Sequence, residues 1–196
     1  MQHTESKESK RAAILQAAAK MVDGRRFDEV KLDEISAAAG VGKGTLYLYF
    51  KNKEDLFAQM AVEGLDEMTE RIRTIASMES SYKERLFLFA REFTDFLTKR
   101  HGVMRVMNQV RSDPVDKVFR KHLGRMIGAI HELLQKGMDE GALRTDFQTS
   151  ELRCALVGPI LLKIRREEHA GETIESSALL ELFWAGAAAH KKQRTV

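Results

Sequence analysis

The chain has 196 residues, of which 43% are hydrophobic, and a formal net charge of +3. That length allows one sizeable core or a small module joined to a larger helical one. The single cysteine, Cys154, excludes an intrachain disulfide, no apolar run approaches the ~20 residues of a membrane span, and the charge is too small to name a nucleic-acid partner.

From the N-terminus, residues 1–8 read as a loose polar arm without the apolar core of a secretory signal, which points to a reducing cytoplasm. A first helix is predicted from Ser9, as N-cap, to Asp23-Gly24. Its stripe is Ile14, Ala18, Met21 and Val22, with Phe27 completing a small core. Residues 35–55 are the most informative stretch. Ile35, Ala38 and Ala39 give a short helix a small, apolar face, Gly40 supplies a left-handed turn, Val41 plugs the corner, and a second short helix starts near Gly42.

At about 100° per residue, Leu46, Phe50 and, at the edge, Tyr49 share one side of that second helix. Gly44, Thr45 and Leu48 fall opposite, with Tyr47 and Lys51 on the flank. One side anchors and the other reads. A glycine in the first turn costs roughly 1 kcal/mol of helix stability, but it lets backbone N–H groups approach a DNA phosphate. Lys43, Lys51 and Lys53 surround it, and no acidic residue lies between Gly40 and Asn52. Over residues 1–55 as a whole, ten Lys and Arg stand against nine Asp and Glu, so the argument rests on this local cluster.

The run Ala39-Gly40-Val41-Gly42-Lys43-Gly44-Thr45-Leu46-Tyr47-Leu48-Tyr49-Phe50, followed by Lys53-Glu54-Asp55-Leu56-Phe57, resembles the DNA-binding signature of the TetR family of bacterial regulators. The resemblance covers about residues 10 to 57; the remainder is comparable in length and helical pattern. Two positions depart from the pattern. Lys31 stands where these proteins usually carry a helix-capping threonine that touches phosphate, and Gly42 stands where serine is common. The DNA-facing set read from these residues is Lys31, Lys43, Gly44, Thr45, Tyr47, Leu48, Tyr49 and Lys53. Lys53 is assigned to phosphate, and Leu48 to a thymine methyl.

Beyond the motif, Leu56, Met60, Leu65, Met68, Ile72 and Ile75 recur at three to five residues and predict one long helix without a flexible linker. Further helices are predicted over 82–99, 101–111, 114–140, 151–166 and 176–190. Asp113 and Pro114 signal a start and Gly141 an end. Gly158-Pro159 marks either a bend or a break. Strand alternation is almost absent. The expected fold is all-α: an N-terminal three-helix helix-turn-helix DNA-binding domain (residues 1–55) and a larger C-terminal helical ligand-binding and dimerisation domain (56–196).

The apolar surface of the second half has two readings. Phe89, Phe93 and Phe96 with Phe87, then Met104 and Met107, then Phe119, His122 and Met126 are either ordinary core or the lining of a ligand cavity, which the resemblance implies. Likewise Leu156, Ala178, Leu182 and Ala185 either cover the monomer or pair with their copies into the four-helix bundle by which TetR-like proteins dimerise. A helix-turn-helix reader needs such two-fold symmetry to bind a palindromic operator in double-stranded DNA tightly. Cys154, between Arg153 and Ala155, is expected to be a small buried residue and not a redox sensor. His101, His122, His131, His169 and His190 fall in no pair at metal-ligand spacing, and no nucleophile elbow or phosphate loop appears. An enzyme has no candidate constellation, and no cofactor or metal is called for. The function expected is a dimeric repressor released by a small, largely apolar effector, with a chromosome-organising DNA binder as the alternative.

Overall fold

The computed structural model describes residues 2–22, 25, 29–99, 113–170 and 175–189. Among them the elements are all helical: α1 (Gln2–Met21), α2 (Leu32–Ala38), α3 (Lys43–Tyr49), α4 (Lys53–Ala76), α5 (Tyr82–Lys99), α6 (Asp113–Asp139), α7 (Thr149–Ala170) and α8 (Ser176–Ala187). Phe27, Met104, Met107 and the helix expected over 101–111 lie outside the described residues.

The chain divides into two units, residues 1–66 with 99–123 and residues 67–98 with 124–196. The core of the first is built from α1 to α3 and the start of α4: Ile14, Ala18, Val22, Ile35, Leu46, Phe50, Leu56, Phe57 and Met60 are all buried. Each of these side chains larger than Ala18 contributes about 1.5–3 kcal/mol relative to exposure. The expected boundary at residue 55 follows the end of the motif. The unit extends to Asp66 because Leu56, Phe57, Met60 and Ala61 of α4 belong to this same core. Arg11 ties α1 to α4, bonding Glu63 and, at 2.8 Å, Gln59 Oε1.

Two other boundaries differ from the sequence reading. α1 begins at Gln2, so Ser9 lies inside the helix; nothing before it is a proline or glycine, and serine is tolerated within a helix. α7 runs unbroken from Thr149 to Ala170 through Pro159.

In the second unit the buried residues include Leu86, Phe89 and Phe93 on α5, with Met126, Ile130 and Leu133 on α6. Tyr82 joins the two helices. Its hydroxyl donates to Leu133 O at 3.2 Å, and its ring fills the space over Gly137, where a Cβ would lie 2.2 Å from Tyr82 Cζ. Burial pushes the Tyr82 phenol well above its usual pKa, so it remains a hydroxyl donor. Arg85, 3% exposed, donates to Ala76 O at the end of α4 and pairs with Glu140 just past α6. α6 stops at Gly141, whose φ of +69° is left-handed. The bonds Gly141 N to Met138 O and Ala142 N to Gly137 O form a glycine C-cap. Beyond it, Arg144 N donates to Ala187 O and Ala189 N to Ala142 O, both at 2.9 Å, pinning this loop to the end of α8.

Candidate nucleic-acid interface

The corner between α2 and α3 closes by backbone bonding alone. Gly40 adopts φ +65°, Gly40 N donates to Ala37 O at 3.1 Å, and Val41 N donates to Ser36 O at 3.0 Å, a Schellman cap that a side chain at residue 40 would strain. Val41 packs against the core below. The starts of both helices lack side-chain caps: Lys31 precedes α2 and Gly42 precedes α3, neither with a capping bond, as lysine and glycine at those positions require.

α3 is then anchored on one side and open on the other. Leu46 (1% exposed) and Phe50 (0%) hold it to the core, while Tyr47 (48%) and Leu48 (81%) stand in solvent. Lys43 and Gly44 are exposed and Thr45 is half-buried, and nothing lies within 4 Å of where a Gly44 Cβ would be. Tyr49 is half-buried and packs on the core, with its ring 6.4 Å from that of Phe50, so it sits on the anchoring side. Lys31 is exposed and Lys53 half-buried. Lys53 opens α4 after a turn ordered by two side chains: Asn52 Oδ1 accepts from Asp55 N at 2.8 Å, and Asp55 Oδ2 accepts from Lys51 N at 2.9 Å.

Sequence reasoning missed the partner of Lys43. Its ammonium lies 2.8 Å from Asp33 Oδ1, and this bond holds the lysine above its ordinary pKa. The two residues are ten apart, and only the helical corner brings them together.

Of the eight residues expected to line a ligand cavity, Met104 and Met107 lie outside the described residues, and the other six are divided between the two units. Phe89 (0% exposed) and Phe93 (2%) stack at 5.3 Å, Phe96 stacks on Phe93 at 6.3 Å, and Met126 is buried, all in the second unit. Phe119 and His122 belong to the first unit. Phe119 packs on the core of that unit, and His122 Nδ1 lies 2.6 Å from Asp66 Oδ1. A cavity of about 680 Å³ in the second unit is walled by other residues, among them Phe87, Leu88 and Arg91 of α5, Lys163 and Glu167 of α7, and Leu180 of α8.

The residues expected at a dimer interface divide by face. Leu156 is buried (2% exposed), whereas Ala178, Ala185 and Leu182 (72%) are exposed. Leu161 and Leu162 on α7 are also half or more exposed. Between α7 and α8 a groove of about 410 Å³ is lined by Phe147, Leu152, Pro159, Leu179, Leu182 and Phe183. Cys154 is exposed, contrary to the expectation of burial, because it falls on the outer side of α7, 3.7 Å from the Arg153 guanidinium. No described helix is long and apolar enough to cross a membrane.

Known proteins share this organisation. Residues 14–60 match the sequence profile of the bacterial regulatory proteins of the tetR family. The chain is 26% identical over 138 residues to the fatty acid metabolism regulator protein of Bacillus subtilis, covering 67% of this chain and 71% of the relative. To the transcriptional regulator AcuR of Cereibacter sphaeroides it is 30% identical over 186 residues, covering 89% of this chain and 71% of that one. In three dimensions it resembles the transcriptional regulator FadR of B. subtilis in complex with stearoyl-CoA, with a TM-score of 0.74 at 22% identity, over 89% of this chain and 98% of the other. A helix-turn-helix corner closed by Gly40, an anchored and open α3, and these similarities together establish that the chain belongs to the TetR family of transcriptional regulators.

Proposed function

We infer that this protein is a dimeric repressor that binds a palindromic operator through α3 and releases it when a small molecule occupies the second unit. The observation that carries the reading is the exposure of Leu48, at 81%, on a helix whose opposite side is locked into the core by Leu46 and Phe50. An apolar side chain held this far into solvent on a rigid short helix suits contact with a thymine methyl in the major groove. Lys43, Thr45 and Tyr47 share the open side and flank, and Lys31 and Lys53 supply cations for phosphates.

Dimerisation is supported by the exposed Leu161, Leu162 and Leu182, with Ala178 and Ala185 allowing close approach. A second copy of α7 and α8 would cover them. An effector is supported by the cavity in the second unit and by a neighbour in fold that binds stearoyl-CoA. α4 is one continuous helix contributing residues to both units, a physical route for coupling ligand to DNA. Such a protein works in the cytoplasm, on the chromosome.

Genome-wide mapping of bound DNA, paired with transcript levels in a deletion strain, tests this reading. A few palindromic sites whose adjacent transcripts rise on deletion are expected. Many dispersed sites with unchanged transcripts would favour a chromosome-organising role, and falling transcripts would favour activation.

A further inference from the structure

The cavity of about 680 Å³ in the second unit has walls of two kinds. Phe87, Leu88 and Leu180 give it apolar surface. Lys163 gives it a cation that is only 9% exposed, and the ammonium bonds Glu167 Oε1 at 2.6 Å, one turn further along α7. The two members of this pair are not equally placed. The Lys163 side chain is 11% exposed and that of Glu167 32%.

That asymmetry bears on which sign of ligand charge is accepted beside Lys163. A cationic ligand would take Glu167 for itself and leave Lys163 buried without a counter-charge, which is strongly unfavourable. An anionic ligand takes the place of Glu167 at Lys163, and the displaced carboxylate, already a third exposed, turns toward water. The cost therefore falls on the group that can be resolvated. Arg91 is a second cation among the described walls, and Ser176 and Ser177 add hydroxyl donors. Glu84, Asp95 and Glu175 line the same space, and their charge opposes a ligand with several negative groups.

We propose that this cavity binds an amphipathic monocarboxylate, its chain or ring against Phe87, Leu88 and Leu180 and its carboxylate on Lys163, with Glu167 as the internal competitor it displaces. The acids in the walls favour the free acid over its coenzyme A thioester, whose phosphates carry additional charge. The proposal rests on the reading of this chain as an effector-responsive regulator and names the chemistry of that effector.

The test uses dodecanoate and cinnamate as probes, with dodecanol, cinnamyl alcohol, dodecylamine and dodecanoyl-coenzyme A as matched controls. Calorimetry would be run on the full-length wild type, Lys163→Met and Glu167→Gln, with circular dichroism confirming that each variant is folded. At least one acid should bind the wild type more tightly than its alcohol, than the amine and than the thioester. Lys163→Met should weaken that acid by about tenfold or more, the scale of a lost charge-assisted hydrogen bond, while the alcohol is unaffected. Glu167→Gln should tighten it, because the competitor is gone; this variant carries the test if Lys163→Met does not fold. Failure of both acids to bind, preference for the amine or the thioester, or acid affinity unaltered in Glu167→Gln would each overturn the proposal. Operator affinity measured beside binding separates the two readings. Acid binding that leaves operator affinity unchanged defeats the effector reading and spares the site. Operator release by the amine or the thioester, with neither acid bound, defeats the site and spares the effector reading.

Discussion

A phosphate that recruits Lys43 must first displace Asp33, whose Oδ1 lies 2.8 Å from the ammonium. Both side chains are well exposed, at 60% and 64%, so the pair is weak and screened by salt. Asp33→Asn should therefore strengthen binding to operator and to unrelated DNA alike, most at low salt and little at high salt. Anisotropy titrations across a salt series measure this, and unchanged affinity at low salt would show that Lys43 takes no part. Lys53 is assigned to phosphate, so Lys53→Ala should weaken all sequences about equally and lower the salt slope by roughly 1. A loss confined to particular sequences contradicts that role. Leu48→Ala should instead relax preference at one thymine position, read by competition among single-base operator variants; identical preferences throughout would remove the methyl contact.

Among elements, α5 shows what was legible in the sequence and what was not. Its bounds, 82 to 99, follow from periodicity and are observed as Tyr82–Lys99. Its use is harder to read, because two stripes run along it. Phe89 and Phe93 turn into the core, whereas Phe87, Leu88 and Arg91 face the cavity, so the phenylalanines crowded on this helix, which the sequence left open between core and cavity lining, serve both surfaces. Periodicity identifies a face but not what covers it. The glycine turns at Gly40 and Gly141 were readable because only backbone geometry is involved. Arg85 was not. A buried arginine holding Ala76 O and Glu140 comes from chain segments far apart, and no local pattern announces it. Arg85→Ala should cost about 1–3 kcal/mol by leaving the Ala76 carbonyl without its donor, since Glu140, a third exposed, can turn toward water; urea denaturation measures this. A midpoint equal to the wild type would mean the network is idle. Gly137→Ala tests the Tyr82 contact more narrowly. The added methyl meets a ring that is 4% exposed and hydrogen-bonded, and overpacking of this kind costs about 1–3 kcal/mol. Unchanged stability would show that the ring can move aside.

For the whole molecule, the helix-turn-helix corner was legible in the sequence, since the turn, the anchored side and the open side of α3 all arise within residues 31–55. The proposed assembly rests, in the sequence, only on small and apolar spacing on the last two helices. Ala178, Leu182 and Ala185 are exposed, while Leu156 is buried because it lies on the inner side of α7. Leu182→Glu should place a charge in the proposed apolar contact, dissociate the dimer and abolish tight operator binding. Sedimentation showing an intact dimer would move the interface elsewhere. The most direct test of the account is the stoichiometry of the wild-type protein on its mapped operator, by sedimentation with labelled DNA. Two chains per palindrome are predicted, with tight binding lost when one half-site is scrambled. One chain per site, or equal affinity for the intact and half-scrambled operators, would contradict a dimer reading DNA through paired α3 helices.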